Sequence, residues 1–473
     1  MLQHQSNILT YPSKRNSGGY SYDQTESNST YPPCRYILNQ FKGSLAKSAR
    51  ELLEQFNEFD NEAVRTDVYP GLKQEQNDGV NKILKMKRAI LCDEVGNGKT
   101  LQALTVANEL GGNILYITKK TLITQVEEEI RKWYPNIVIH TNLQSSSPGI
   151  YVTNYEQLSL MDRKELKRRR KLLIIDEAHS VKNRTAKRSK MVALVAHNSE
   201  YLILLTGTPI EKLPNDMWHL MHLLDKDIWS SYWRWANYFT DYDVLPSGVR
   251  VNIKPKNVNV FHSILTSYYI RRESNRPTPN YIDVPVKLYK SQRDLYDLIN
   301  KEAYIPPYDL TIQNEISRQV YLRQLAIESS WLTGDTNESA KLNKCDELIQ
   351  KHLNENIVIF CSFNRPLEIL HNSITHLYRT GDVIDFNTKP ILLMTYQSGG
   401  TGLNLQDAHI AILLDLPQSS IIFQQAIGRL NRIGQQITPT FYIIRADNTI
   451  DKRVNKLMEN KLEVFKDLVR ESK

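Results

Sequence analysis

Apolar residues fall in short unbroken runs that alternate with amphipathic stretches. "RAILC" (88–92) is followed by "TLQALTVANEL", "NILYIT" (113–118) by "TLITQVEEEIRKW", and then come "GIYVT", "KLLIID" and "YLILLTG". Runs of this length without polar interruption predict strands buried on both faces. Their alternation with helical text predicts parallel β-α-β units. From about 211 the pattern turns helical and aromatic, as in "MWHLMHLLDKDIWSSYWRWANYF". From about 341 the alternation returns with "NIVIFCSF", "PILLMTY", "HIAILLDL" and "TFYIIRA", and the chain closes on a charged amphipathic helix. The expected division is a polar segment over 1–65 carrying one amphipathic helix ("SLAKSARELLEQFNEF"), an α/β lobe over 66–225, a helical insertion and linker over 226–340, and a second α/β lobe over 341–473.

The apolar fraction, 41% of 473 residues, supplies a core for two such lobes. The longest apolar runs are too short to span a bilayer and the N-terminal text lacks a signal-peptide core, so the expectation is a soluble intracellular protein with no membrane partner. The cysteines Cys34, Cys92, Cys345 and Cys361 are scattered, which points neither to zinc nor to a disulfide framework. A net charge of +8 permits attraction to a polyanion without requiring it.

Candidate chemistry begins at "LCDEVGNGKT" (91–100). A buried strand, a glycine-containing loop and a helix are the setting that a phosphate-binding loop requires. Helix-start N–H groups attract phosphate. Lys99 would reach the β- and γ-phosphates, and the Thr100 hydroxyl would ligate Mg²⁺. The general loop pattern has glycine where this chain has Asp93. "KLLIIDEAH" then puts Asp176 and Glu177 at a strand's carboxyl end, where ligands of parallel sheets bind. Asp176 would hold Mg²⁺ directly or through water, and Glu177 would polarise the attacking water. "LLTGTPI" brings Thr206 and Thr208 within reach of that acidic loop. In "QQAIGRLNRIGQQ", Arg429 and Arg432 share a helix face, as a pair aimed at a γ-phosphate must.

Taken together these segments resemble the Swi/Snf family of DNA-translocating ATPases, within the superfamily-two helicases. "LKQEQNDGV" is similar to that family's adenine-reading segment and maps its glutamine onto Gln76. "DEVGNGKTLQAL" resembles its phosphate loop, in which Asp93 and Glu94 are the rule. "DEAHSVKN", "LTGTPIEKLPNDMWHLMHLL", "YYIRRESNRPTPN" with "KSQRDLYDLI", "TYQSGGTGLNLQDA" and "QQAIGRLNRIGQ" follow the family's remaining segments in order, over about residues 68–460. The resemblance implies two RecA-like lobes with ATP and Mg²⁺ between them, moving along double-stranded DNA. Gln76, Asp93, Glu94, Val95, Gly96, Asn97, Gly98, Lys99 and Thr100 would form the nucleotide cradle. Lys99, Asp176, Glu177, Gln425, Arg429 and Arg432 would carry hydrolysis, and His179 and Thr206 would couple it to DNA. Lys119, Thr121, Thr153, Asn154, Lys182 and Thr395 would meet the DNA backbone, contacts that carry little sequence information.

The chain departs from the family pattern in two places. No tryptophan follows Asp415 in "LLDLPQSSIIFQQ", and the span from Gly381 to Thr395 is short enough to lack a helix of the second lobe. No chromatin-reading module is appended, which suggests a near-minimal motor whose targeting comes from a protein partner, and the Asn-, Ile-, Lys- and Tyr-rich composition suggests a compact viral or phage genome. A strand-separating helicase and an ATP-binding scaffold for a transcription or replication machine are the alternative readings. Two further stretches have bland readings. The basic run Lys167 to Lys171 precedes a strand's entry edge, opposite the ligand face, and is expected to be a solvated loop. Trp229, Trp233 and Phe239 fall near helical spacing and are expected in the core.

Overall fold

The computed structural model describes residues 67–94, 96–141, 147–245, 248, 250–272, 277–335, 339–373, 378–379, 390–399, 405–432 and 435–469, and a short antiparallel pair, Pro12–Lys14 with Tyr20–Tyr22. The helix expected over 44–59, Val95, and most of the shortened span after Gly381 lie outside the described residues.

The first lobe begins with helix α1 (Gln74–Met86) and strand β1 (Arg88–Leu91), continues through α2 (Lys99–Leu110), β2 (Asn113–Thr118), α3 (Ile123–Trp133), β3 (Ile139–His140), β4 (Gly149–Asn154) and β5 (Arg170–Ile175), and then α4 (Lys187–Ala196), β6 (Ser199–Leu205) and α5 (Asn215–Leu224). Helix α6 (Tyr232–Phe239), a hairpin of β7 (Thr240–Val244) and β8 (Arg250–Pro255), helix α7 (Val258–Thr266) and strand β9 (Tyr269–Ile270) complete it. The sheet runs β9-β1-β6-β5-β2-β4-β3 and every pair is parallel. Strand side chains alternate between two apolar layers. Leu172 and Ile174 join Val80, Leu104 and Ile130 from α1, α2 and α3. Leu173 and Ile175 join Val192, Leu220 and Phe261 from α4, α5 and α7. Both faces are covered, which is why the strands read as continuous apolar runs.

Arg88, at the entry of β1, ties this lobe together. Its guanidinium donates to the carbonyls of Leu224 (2.7 Å), Ser199 (2.7 Å), Ala196 (2.9 Å) and Leu223 (2.8 Å). It thus satisfies carbonyls that the ends of α4 and α5 would otherwise leave orphaned. Beside it, the ring of His222 stacks on Trp218 at 4.9 Å and meets His197 edge-on at 5.2 Å, and His219 is buried on the same helix. The aromatic stretch divides differently from its expected spacing. Trp229 and Phe239 are core residues, but Trp233 is 55% exposed. Helix α6 starts only at Tyr232, so Trp235 and Phe239 share its inner face. Trp235 meets Trp229 edge-on at 5.1 Å and donates Nε1–H to the Pro214 carbonyl at 3.0 Å.

The second lobe comprises β10 (Asn280–Val286), α8 (Lys290–Lys301), α9 (Glu315–Ile327), α10 (Ala340–Lys351), β11 (Ile357–Cys361), α11 (Asn364–Ser373), β12 (Tyr378–Arg379), β13 (Ile391–Thr395), β14 (Ile410–Leu413), α12 (Ser420–Leu430), β15 (Thr440–Ala446) and α13 (Ile450–Val469). Its sheet runs β10-β15-β14-β11-β13-β12, again all parallel. The two sheets partition the stretch 226–340 between them. Its first part extends one apolar layer of lobe one and ends in β9, an edge strand of that sheet; its second part opens with β10, an edge strand of the other. Strands recruited this way cover sheet edges that would otherwise expose unpaired backbone groups. Lys341 is fully buried, and its ammonium bridges the Leu414 carbonyl (2.7 Å) and Asp451 Oδ2 (2.6 Å). That carboxylate also accepts the Ala446 N–H, so one buried ion pair holds α10, the end of β14 and the start of α13. Among the described residues no helix is long and apolar enough to cross a membrane.

Candidate nucleotide site

The loop between β1 and α2 turns on two glycines in the left-handed region, Gly96 (φ 92°) and Gly98 (φ 71°). Gly98 caps α2, so the unpaired N–H groups of that helix open onto the loop. Lys99 folds over it, donating from Nζ to the carbonyls of Asp93 (2.7 Å) and Glu94 (3.0 Å). Burial pushes its ammonium down, and the carboxylate of Glu177, the thiol of Cys92, Asp93 and Asp176 pull it back up. Thr100 is the next residue of the helix, half-buried. Gln76, on the first turn of α1, donates Nε2–H to the Asn97 carbonyl at 3.1 Å and accepts the Lys73 N–H at 2.9 Å. It packs so close to Gly98 that a Cβ there would lie 2.4 Å from Gln76 Nε2.

Asp93 and Glu94 face elsewhere. The Asp93 carboxylate is 1% exposed and takes bonds from the N–H, Nε and Nη2 of Arg272, with Gln102 donating to Oδ2 at 3.1 Å. Arg271 donates to the Cys92 carbonyl at 3.2 Å and lies 3.9 Å from Glu94 Oε1. Asn97 Nδ2 donates to the Arg272 carbonyl at 3.3 Å. Asp93 thus fastens the loop to the segment that follows β9, and Glu94 lies near Arg271 of the same segment. A buried carboxylate requires such partners.

Asp176 directly follows β5 and is bonded to the sheet through its N–H, which donates to the Ile117 carbonyl at 2.8 Å. Its Oδ2 accepts the Thr118 hydroxyl (3.0 Å), its Oδ1 accepts the Glu177 N–H (2.9 Å), and its carbonyl accepts the Tyr155 hydroxyl. Burial, then the neighbouring Glu177, push its carboxyl up to about 6. Glu177 turns the chain with φ 50°. Its Oε2 lies 3.2 Å from His179 Nδ1, which is 3.4 Å from Thr206 Oγ1, and that oxygen accepts the Thr208 N–H. Burial lowers the imidazole of His179 and keeps it neutral. The two crowded carboxylates offer an oxygen-only donor set, which suits a hard divalent cation bound jointly with phosphate. A cation there would relieve the charge crowding that raises Asp176.

The second lobe closes on this site. Arg429, on α12, is buried; burial pushes its guanidinium down while Glu177 and Asp176 push it up, so its charge lies in the field of the acidic loop. Arg432 does not share a face of α12 with Arg429 as their spacing suggests, because the helix ends at Leu430 and Asn431 leaves the helical conformation; it lies beyond the helix and across Gly96, where a Cβ would meet its Cγ at 3.1 Å. Gln425, also buried, is one helical turn before Arg429. Lys99, Asp176, Glu177, His179, Thr206, Arg429 and Arg432 therefore gather in one interlobe cleft, and Gln76 lies at its phosphate-loop rim.

The residues expected to meet DNA are more dispersed. Lys119 caps a short turn and Thr121 is exposed beside it. Thr153 is buried and bonds to Gln157 Oε1, and Asn154 Oδ1 caps the next turn through the Gln157 N–H, so both side chains are engaged within the fold. Lys182 pairs with Glu211 at 2.7 Å. Thr395 is half-buried at the end of β13. In the basic run, Arg170 is buried against Glu165 and the carbonyl of Arg168, so the run is not a continuous charged surface. Sequence reasoning assigned no role to Arg272, Gln102, Thr118, Tyr155 or Glu211. Only Arg272 carried a signal, the paired arginines of "YYIRRES".

Comparison with known proteins gives the chain a family. The SNF2-related domain matches residues 4–327 and the helicase conserved C-terminal domain matches residues 340–434. The chain is 26% identical over 483 residues to the mouse (Mus musculus) SWI/SNF-related matrix-associated actin-dependent regulator of chromatin subfamily A member 1, covering 87% of this chain and 45% of that protein. It is 25% identical over 458 residues to the Saccharomyces cerevisiae ISWI chromatin-remodeling complex ATPase ISW1, covering 83% and 40%. The chain thus spans under half the length of these curated relatives. Among solved structures it is similar to the Sulfolobus solfataricus SWI2/SNF2 ATPase core in complex with dsDNA, at 24% identity and a TM-score of 0.41, covering 84% of this chain and 93% of that one. With the SNF2-related match spanning most of its length and a helicase C-terminal match after it, the chain belongs to the SNF2-related ATPase family.

Proposed function

We propose that this chain is an ATP-driven motor that moves along double-stranded DNA and displaces or remodels protein–DNA complexes. The observation that carries the reading is Arg429: an arginine of one lobe, buried in the field of Asp176 and Glu177 of the other. Catalysis across an interlobe cleft makes turnover depend on lobe closure, and repeated opening and closing is what moves a motor along a track.

In this reading the unpaired N–H groups at the start of α2 and the Lys99 ammonium hold the phosphates. Lys99 releases the loop carbonyls of Asp93 and Glu94 to do so. Thr100 and Asp176 would hold Mg²⁺, which supplies charge neutralisation at the β- and γ-phosphates. Glu177 accepts the proton of the attacking water. Arg429 and Arg432 stabilise the charge that develops on the γ-phosphate, and the fixed position of Arg429 means little reorganisation is needed. The His179–Thr206 contact links Glu177 to the loop after β6, so a change at the acidic loop is felt there. Gln76 would read the adenine once its amide leaves Asn97.

DNA contact would be made by backbone phosphates, including those near Lys119, Thr121 and the end of β13, and would be salt-sensitive and largely sequence-blind. The deciding experiment is ATP hydrolysis measured with duplex DNA, single-stranded DNA and RNA, beside triplex displacement and forked-duplex unwinding. Stimulation by duplex with triplex displacement supports a translocase. Forked-duplex unwinding points to a strand-separating helicase, and stimulation by RNA alone overturns the reading.

A further inference from the structure

Glu211 follows the "LLTGTPI" turn and faces two lysines from different lobes. Its Oε2 lies 2.7 Å from Lys182 Nζ, three residues beyond His179 in lobe one. Its Oε1 lies 3.3 Å from Lys461 Nζ, on α13, the last helix of lobe two. Each partner is fixed from its own side. Lys461 Nζ also donates to the Gln418 carbonyl at 2.5 Å, which belongs to the loop leading into α12 and its arginine. The N–H groups of Glu211 and Lys212 both donate to Asp216 Oδ2 at 2.9 Å, and Asp216 Oδ1 lies 3.7 Å from Lys182. The cluster is largely shielded, with side-chain exposures of 16% for Glu211 and 9% for Lys461. Helix α13 also packs against α7 of lobe one.

We propose that Glu211 is a positioning residue that clasps the two lobes, bridging Lys182 and Lys461 so that α12 stays where Arg429 and Arg432 reach the phosphate loop. Burial pushes its carboxyl up, but the two lysines outweigh burial and hold it down to about 2, so the clasp is charged throughout the neutral range. Without the carboxylate, two ammonium groups face each other across the interface with Asp216 as the remaining nearby counter-charge. Opening the lobes separates them at once. The cross-lobe arm, Glu211–Lys461, sets closure; the Lys182 arm lies within lobe one and orients Glu211.

The effect on shape is independent of the function proposed above, whereas the effect on turnover rests on it. The test uses the full chain with dyes on cysteines introduced at Glu200 in lobe one and Asp297 in lobe two, both about half-exposed, in a Cys34→Ser background. Glu211→Gln and Lys461→Gln should each lower the high-transfer population, and Lys182→Gln should lower it less. Each of the first two should reduce kcat about three- to tenfold while changing the KM for ATP by less than about twofold, and the double variant should be no worse than the worse single. Unchanged energy transfer in Glu211→Gln, or fully additive losses in the double variant, overturns the clasp. If the parent chain hydrolyses no ATP, the functional reading fails and the transfer measurement alone decides the clasp.

Discussion

Arg272 holds Asp93 through three donors, its own N–H and its Nε at 3.0 Å and its Nη2, although the two residues are 179 positions apart. Asp93 is buried at the start of the phosphate loop, so removing the guanidinium leaves a carboxylate without its counter-charge. Arg272→Ala should destabilise lobe one by about 3 kcal/mol, read as a lower urea midpoint for that lobe's transition. Arg272→Lys should recover less than half, because an ammonium cannot reproduce the fork. A midpoint unchanged by Arg272→Ala would show that the carboxylate finds another partner.

In the proposed mechanism Arg429 is the group most specific to the transition state. Arg429→Ala should lower kcat about a thousandfold or more. ATP affinity, set mainly by lobe one, should change little in equilibrium binding of a fluorescent nucleotide. A comparable loss of affinity and turnover would mean that Arg429 serves ground-state binding instead.

If Asp176 holds Mg²⁺ as proposed, it links metal affinity to pH. Its carboxyl is raised from 3.8 to about 6, first by burial and then by Glu177. The folded protein therefore holds a proton between those values. Stability from this group is full below about 3.8 and is lost as pH rises through about 6. A bound cation must displace that proton. The Mg²⁺ concentration giving half of the maximal thermal shift should thus rise as pH falls below about 6, by up to about tenfold per unit. Asp176→Asn should bind weakly with a flat profile; a parent profile that is flat between pH 5 and 7 would remove Asp176 from the metal site.

His219 makes the helical side of lobe one acid-sensitive. Burial, and then the neighbouring His222, bring its imidazole down from 6.5 to about 4. A depressed base contributes stability that is present above 6.5 and lost as pH falls toward about 4. The full loss is about 3 kcal/mol. Urea unfolding of the parent chain should weaken over that window, and His219→Leu should flatten the slope. Equal acid sensitivity in both would place its origin elsewhere.

Residues whose position is fixed by local spacing were legible in the sequence. Lys99 starts a helix after a glycine turn, Asp176 directly follows a buried strand and Arg429 lies on the last turn of α12, so type and position sufficed to bring them to one cleft; the face expected to be shared by Arg429 and Arg432 does not form, because α12 ends at Leu430 and Asn431 leaves the helical conformation. Long-range pairings were not. Nothing near Asp93 announces Arg272, and nothing near Glu211 announces Lys461. The aromatic stretch shows a subtler limit: moving the helix start to Tyr232 exchanges Trp233 for Trp235 in the core. Strand β9 is two residues long, below what an apolar run can signal, yet it and β10 decide how the middle of the chain is divided.

The parallel pairing of β9 with β1 has a mechanical consequence. The bonds from Ile90 N–H to the Tyr268 carbonyl (2.8 Å) and from Cys92 N–H to the Ile270 carbonyl (2.7 Å) lie across the strand axis. The chain leaves for the second lobe at the end of β9 that adjoins the phosphate loop. Tension between the lobes along this strand loads those bonds together, in shear, whereas a hairpin pulled from its open end unzips one bond at a time. The tether is thus strongest in the direction that separation of the lobes would pull it, and Arg271, bonded to the Cys92 carbonyl, delivers the strain to the first residue of the nucleotide loop.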